Sequence, residues 1–261
     1  MTYFSLPLLY SRAMRLALLF VAFFAATQVF SQTILNRGDF AILAVNANLP
    51  TPNNSRDEIS FVCFKDITTG TEIQVTDNGY SSCVTGLWSS GEGGAVLRRT
   101  GGVIPKGTVI TFRTTTPYVF ISPDNGWTVT DLSPTQLSSN LNMNSTTGDQ
   151  IYFAQGGTWT ELASMCNIGT AASGANSRIG PNASFPGNSG RILFGFSTSG
   201  EWVPGTSLGA LDGKSGNSGL YPGMQCFSMA PTGGQAYNKY FGPLTATTQT
   251  EWIKRISDVN N

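Results

Sequence analysis

Paired carboxylates are the smallest constellation in this sequence that could carry out hydrolysis. Asp57-Glu58, Glu72, Asp77 and Glu92 lie in its first half and could converge at one end of a β fold. Two acids held roughly 5 to 10 Å apart across a sugar would act as acid and as base or nucleophile. The rival reading takes them as turn residues and solvated charges, because 15 acids in 261 residues make chance pairs inevitable. A carboxylate-based secreted hydrolase therefore stands as an alternative, testable at Glu58, Asp77 and Glu92. Histidine is absent. That removes Ser-His-Asp and Cys-His catalysis, histidine-ligated zinc or iron, and histidine proton shuttling.

Calcium is the inorganic ligand that these residue types suit, since it takes oxygens from Asp, Asn and loop carbonyls. Asp77, Asn78, Asp124 and Asp149 are the candidates. The expectation is no cofactor, with calcium as the alternative, because Asp-Asn-Gly is first of all a turn. Asp212-Gly-Lys-Ser-Gly-Asn217 has Lys and Gly where an EF-hand needs oxygen ligands, which excludes that motif. Of the five tryptophans, Trp88 and Trp202 sit in polar, glycine-rich settings and are the candidates for stacking on sugar rings. Trp127, Trp159 and Trp252 read as core or helix anchors.

Cys63, Cys83, Cys166 and Cys226 permit two disulfides in any of three pairings if the chain reaches an oxidising compartment. None is spaced as C-x-x-C. For Cys63, inside Phe61-Val-Cys-Phe64, the alternative is a small buried apolar residue.

The elements that must position these residues are strands. From Asp39 onward, short runs rich in Val, Ile, Phe and Thr are bounded by Gly, Asn, Asp or Pro. They predict strands at Phe40 to Asn46, Ile59 to Phe64, Thr71 to Thr76, Ala95 to Arg99, Thr108 to Arg113, Tyr118 to Ser122, Gln150 to Ala154, Thr158 to Leu162 and Arg191 to Ser197. In Glu72-Ile-Gln-Val-Thr76 the alternation is that of a sheet with one wet face. Gly156-Gly157 predicts a tight hairpin between Gln150 and Glu161. Stretches 169–190 and 205–223 read as long loops. Thr248 with Glu251 forms a capping-box pattern and predicts a short helix over about 248–257, packed on the sheets through Trp252, Ile253 and Ile256. The expected fold is all-β: one Ig-like β-sandwich with long loops and a short C-terminal helix.

Arg12 and Arg15 precede the apolar run Leu16 to Ala26, and Thr27-Gln-Val-Phe-Ser-Gln32 follows. This is the pattern of a secretory signal peptide covering residues 1–32, with cleavage near Ser31 or Gln32 and translation starting at Met1 or Met14. The run falls short of the roughly 20 apolar residues of a spanning helix, so no membrane span is expected after cleavage. Residues 33–261 form the predicted single domain, secreted or held at the cell surface. With charged residues at only 11% and a net charge of zero, the chain lacks the clustered Lys and Arg that hold nucleic acid on phosphates.

Gly38-Asp-Phe-Ala-Ile-Leu-Ala-Val-Asn46, Asp57-Glu-Ile-Ser-Phe-Val-Cys-Phe-Lys-Asp-Ile67, Gly70-Thr-Glu-Ile-Gln-Val-Thr-Asp-Asn-Gly79 and Ile104-Pro-Lys-Gly-Thr-Val-Ile-Thr-Phe112, read together, resemble secreted Bacteroidetes and cyanobacterial modules similar to lamin-tail-like β-sandwiches. Gly148-Asp-Gln-Ile-Tyr-Phe153 and the Trp252-Ile-Lys-Arg-Ile256 helix extend the likeness. The resemblance implies a non-catalytic module near the start of a large surface protein, for adhesion, matrix contact or protein display. It also implies that more chain follows Asn261. Surface polysaccharide or protein is the partner class, and a carbohydrate-binding module is the other alternative. The four cysteines and Tyr80-Ser-Ser-Cys83 depart from the pattern.

Overall fold

The computed structural model of the chain describes residues 31–47, 57–78, 80–81, 87–88, 93–114, 118–132, 141, 143, 150–162, 177–179, 190–197, 226–228, 237–239 and 249–256. Its strands are β1 (Phe40–Asn46), β2 (Glu58–Cys63), β3 (Glu72–Thr76), β4 (Tyr80–Ser81), β5 (Leu87–Trp88), β6 (Gly94–Arg99), β7 (Val109–Arg113) and β8 (Val119–Ser122). They continue with β9 (Trp127–Asp131), β10 (Gln150–Gln155), β11 (Thr160–Leu162), β12 (Ser177–Ile179), β13 (Arg191–Ser197), β14 (Cys226–Ser228) and β15 (Tyr237–Lys239). One helix, α1 (Gln249–Ile256), follows. Gln32–Asn261 gather into one compact unit.

Two large sheets carry the fold, in the orders β15-β1-β2-β7-β8 and β14-β13-β10-β3-β6-β9, and β11-β12-β5-β4 make a small third. Among the described residues all pairings are antiparallel except β13 with β14. The protein is therefore all-β, a sandwich as its short Val-, Ile- and Phe-rich runs require. Register follows from alternation, because side chains on a strand point to opposite faces in turn. Pairing Ile59 with Phe112 and Phe61 with Ile110 turns all four inward. Pairing Ile73 with Leu97 and Val75 with Ala95 does the same in the opposite sheet. The faces meet at Phe153, whose ring centroid lies 4.5 Å from Phe40 and 5.2 Å from Phe61. Full burial of each such ring stabilises the fold by about 1.5–3 kcal/mol. A bulge between Ile42 and Ala44 lets β1 keep both Phe40 and Val45 in the core.

The predicted hairpin at Gly156-Gly157 does not form. Both glycines take the expected positive φ, 69° and 75°, but β10 is already paired with β3 on one side and β13 on the other. The turn instead sends the chain to β11, which pairs with β12 in the small sheet. Gln74 Nε2 donates to the Gly156 carbonyl (3.1 Å) and Trp159 Nε1 donates to Gln74 Oε1 (2.9 Å), fixing the turn against β3. The six-stranded sheet keeps the wet face that its alternation predicts only at Glu72, Arg98, Thr128 and Thr130, which are exposed; toward β10 that face is covered. Gln74, Thr76, Gln150 and Tyr152 point away from the core and are all buried. Strand β12 lies inside the stretch read as loop, and β9 follows Asp124-Asn-Gly126 where only a turn was expected. Helix α1 is the expected one, with Glu251 ion-paired to Arg255 one turn on. Thr248 and the side chains of Trp252, Ile253 and Ile256 lie outside the described residues. Among the described residues no helix is long and apolar enough to cross a membrane.

Candidate functional site

The strand directions sort the charged residues into two ends. One end joins the start of β1 and the finish of β2 to the start of β3 and the finish of β6. The other joins the opposite termini of the same strands. Asp77 follows β3 and Asp124 precedes β9, so they lie at opposite ends of the six-stranded sheet. Two of the calcium candidates therefore cannot share an ion. Glu72 likewise stands at the far end from Asp57, Glu58 and Asp77, which corrects the expected convergence of these acids.

At the first end Arg99 is the organising side chain. It closes β6 on the inward-facing register of Ala95 and Leu97, and it is only 2% exposed. Nε donates to the Gly102 carbonyl (2.7 Å) and Nη1 to the Gly126 carbonyl (3.0 Å). Nη2 donates to Asp124 Oδ2 (2.8 Å), while Nη1 is paired with Oδ1 of the same carboxylate. The guanidinium carbon lies 5.6 Å from the centre of the buried Trp127 ring, which stacks on Phe120 at 5.0 Å. Trp127 is thus core, as its sequence setting implies. The Arg99 guanidinium, and secondarily the Gly126 N–H, hold the Asp124 carboxyl down at about 2 against desolvation. Asp124 is occupied as a clamp, with the Gly126 N–H donating to Oδ1 (2.8 Å).

At the second end two acids, Asp57 and Asp77, are buried. Asp57 is 3% exposed, and its Oδ2 accepts the Met143 N–H at 2.6 Å. Its backbone is exchanged with Thr114: the Thr114 N–H donates to the Asp57 carbonyl, and the Asp57 N–H donates to Thr114 Oγ1. Desolvation lifts the Asp57 carboxyl to about 6, the Met143 bond opposing it. Tyr118 accepts the Leu141 N–H (3.4 Å). Burial first, and then the charges of Asp77, Asp131 and Asp57, push its hydroxyl well above the usual phenol range. Asp77 and Asn78 are buried at the same end. Asn78 Nδ2 donates to Thr76 Oγ1 (2.7 Å) and to the Gly93 carbonyl (3.1 Å), and Gln150 Nε2 donates to the Asp77 carbonyl (2.6 Å). Glu58 is ion-paired with Arg113 at 3.1 Å.

The charges of Asp77, Asp131 and Asp57 all act on the Tyr118 hydroxyl, a juxtaposition that local sequence does not reveal. Among the described residues no group of three or more His, Cys, Asp or Glu could hold a metal ion. Asp149, Glu92 and Trp202 lie outside the described residues, as does the Trp88 side chain, whose backbone is in β5. Cys63 corrects the disulfide expectation at its own position. It carries a free thiol, 2% exposed, which burial and then Asp39 push well above the ordinary range, so the apolar alternative is the one realised. Cys83, Cys166 and the Cys226 side chain lie outside the described residues. Sequence reasoning missed Arg99 and Gln155. The signal for Arg99 was present, since it occupies a core-facing position of a predicted strand. No family model, no curated protein and no solved structure matches the chain.

Proposed function

We propose that the chain is exported and acts, without catalysis of its own, as an extracellular or cell-surface module for adhesion, matrix contact or protein display, with a sandwich of the Ig-like, lamin-tail-like kind. The observation that carries this reading is where its polar side chains direct their hydrogen bonds. Arg99 holds the Gly102 and Gly126 carbonyls, Asp57 holds Met143, Asn78 holds Gly93, and Gln155 holds Thr33 and Glu72. All but the Gln155–Glu72 bond, which joins two strands, tie a loop or the N-terminal arm to the sandwich, and a rigid scaffold that presents loops is how such modules offer contact surfaces. The leader pattern of residues 1–32 and the near-neutral charge favour export and a surface polysaccharide or protein as partner.

A binding screen against glycans, surface polymers and matrix proteins, run on residues 33–261 with and without a calcium chelator, tests this. Binding without turnover is the expected result. Loss of glycan binding on Trp88→Ala or Trp202→Ala would make the chain a carbohydrate-binding module. Chelator sensitivity would assign calcium to Asp77, Asn78, Asp124 or Asp149. Glycan turnover abolished by Glu58→Gln, Asp77→Asn or Glu92→Gln would overturn the non-catalytic reading.

A further inference from the structure

Residues 32–36 form an arm across the Arg99 end of the sandwich. The Thr33 N–H donates to Thr71 Oγ1 (2.9 Å), its hydroxyl donates to the Asp66 carbonyl (2.7 Å), and its carbonyl accepts Gln155 Nε2 (2.8 Å). The Leu35 N–H donates to Gln155 Oε1 (2.7 Å), and the Leu35 side chain is fully buried. Gln32, just before Thr33, is exposed, and the compact unit starts at Gln32. The sequence marks the same boundary. A cut after Ser31 puts Val29 and Ser31 at the two positions that a leader-cleaving protease screens for small residues, while a cut one residue later would put Phe30 and Gln32 there.

We infer that processing cuts between Ser31 and Gln32, and that Gln32, once N-terminal, closes to pyroglutamate. The inference rests on the export reading above. The neutral α-amine, which α-amino groups reach near pH 8, attacks Cδ of its own side chain. The N–Cδ bond forms, the Cδ–Nε2 bond breaks, and the nitrogen leaves as ammonia carrying a proton from the amine. No oxidant, metal or second substrate is consumed. The exposure of Gln32 gives its side chain room to fold back, and the docked Thr33 keeps its amide N–H for Thr71. A cut after Gln32 would instead make that nitrogen a charged ammonium. The Lys65 ammonium, 3.1 Å from the Ile34 carbonyl, already takes the Asp39 carboxylate at 2.7 Å. The lactam removes the terminal charge and leaves an end without the free amine that aminopeptidases recognise.

The test expresses the whole chain with its leader in an exporting bacterial host and reads the N-terminus of the exported protein by peptide mass and by stepwise degradation. The expected terminal peptide begins at residue 32, lacks the mass of one ammonia and resists degradation. The Gln32→Ala variant should be cut at the same bond and sequence freely. A terminus at Thr33 or upstream of Gln32, or a Gln32 terminus that keeps its ammonia after days at about pH 8, would overturn the inference while leaving export intact. Exported protein that still carries residues 1–31 would overturn the leader reading together with the inference.

Discussion

At one end of the sandwich a buried cation holds two loops, and at the other a buried acid holds one. Arg99 is met by a carboxylate and two carbonyls, so its charge is compensated where it lies. Asp57 is met by a backbone amide, with Tyr118, Asp77 and Asp131 grouped at the same end and the Glu58–Arg113 pair alongside on β2 and β7. Desolvation then favours its neutral form. The two ends consequently answer pH in opposite directions. The Asp124 carboxyl is depressed to about 2, so its contribution is complete at neutral pH and is lost only as pH falls from the unfolded value near 4 through about 2. The Asp57 carboxyl is raised from 3.8 to about 6. Its contribution is complete below the unfolded value and is lost as pH rises through the folded one. Whether a buried charge brings its counter-charge decides which end acid tightens.

The hardest blow to this comparison would come from Arg99→Ala. It takes the Arg99 donor from the Gly102 carbonyl and one of three donors from the Gly126 carbonyl, leaves Asp124 without its counter-charge and strips the face of Trp127, and the expected loss is about 4 kcal/mol in urea denaturation at neutral pH. A loss under about 1 kcal/mol would mean that Thr100 N–H and Gly101 N–H, both donating to the Gly126 carbonyl at 2.9 Å, hold these loops unaided. Asp57→Asn sharpens the other end. Asn still accepts the Met143 N–H but does not ionise, so the variant should escape a loss of order 3 kcal/mol that the native chain suffers between about pH 4 and pH 7. Parallel stability curves for the two proteins would remove Asp57 from the account. Gly126→Ala asks how tightly the first end is packed. Its Cβ would lie 2.8 Å from Arg99 Nη1 and 2.8 Å from Gly101 Cα, and a cost of about 2 kcal/mol is expected. Trp159→Phe should cost about 1 kcal/mol by denaturant midpoint, from the bond to Gln74 that it removes.

The strands were legible where alternation and punctuation agreed. Phe40–Asn46 and Arg191–Ser197 appear with their expected bounds, and Glu72–Thr76 differs by one residue. Trp127–Asp131 carries a strand signal of its own, Trp127 and Val129 alternating with Thr128 and Thr130, which the turn signature Asp124-Asn-Gly126 directly before it masks. Arg99 could have been found, since a core-facing arginine demands a carboxylate and carbonyls nearby. Asp57 could not. Its partner Met143 lies 86 residues away, and nothing local distinguishes it from Glu58, which faces the other side of β2 and pairs with Arg113.

Composition and pattern by themselves determined the all-β class, the strand faces, the positive-φ turn at Gly156-Gly157 and the exclusion of histidine chemistry. These follow from backbone sterics and from the period of two along a strand, which act within a few residues. Only the tertiary structure decided which strands pair, that the Gly-Gly turn leaves its sheet, that Glu72 and Asp124 part from Asp77, and that Cys63 is a free core thiol. Pairing depends on which edges are still open when a strand arrives. The ionisation of an acid depends on the water removed around it, and both are set by residues far away along the chain.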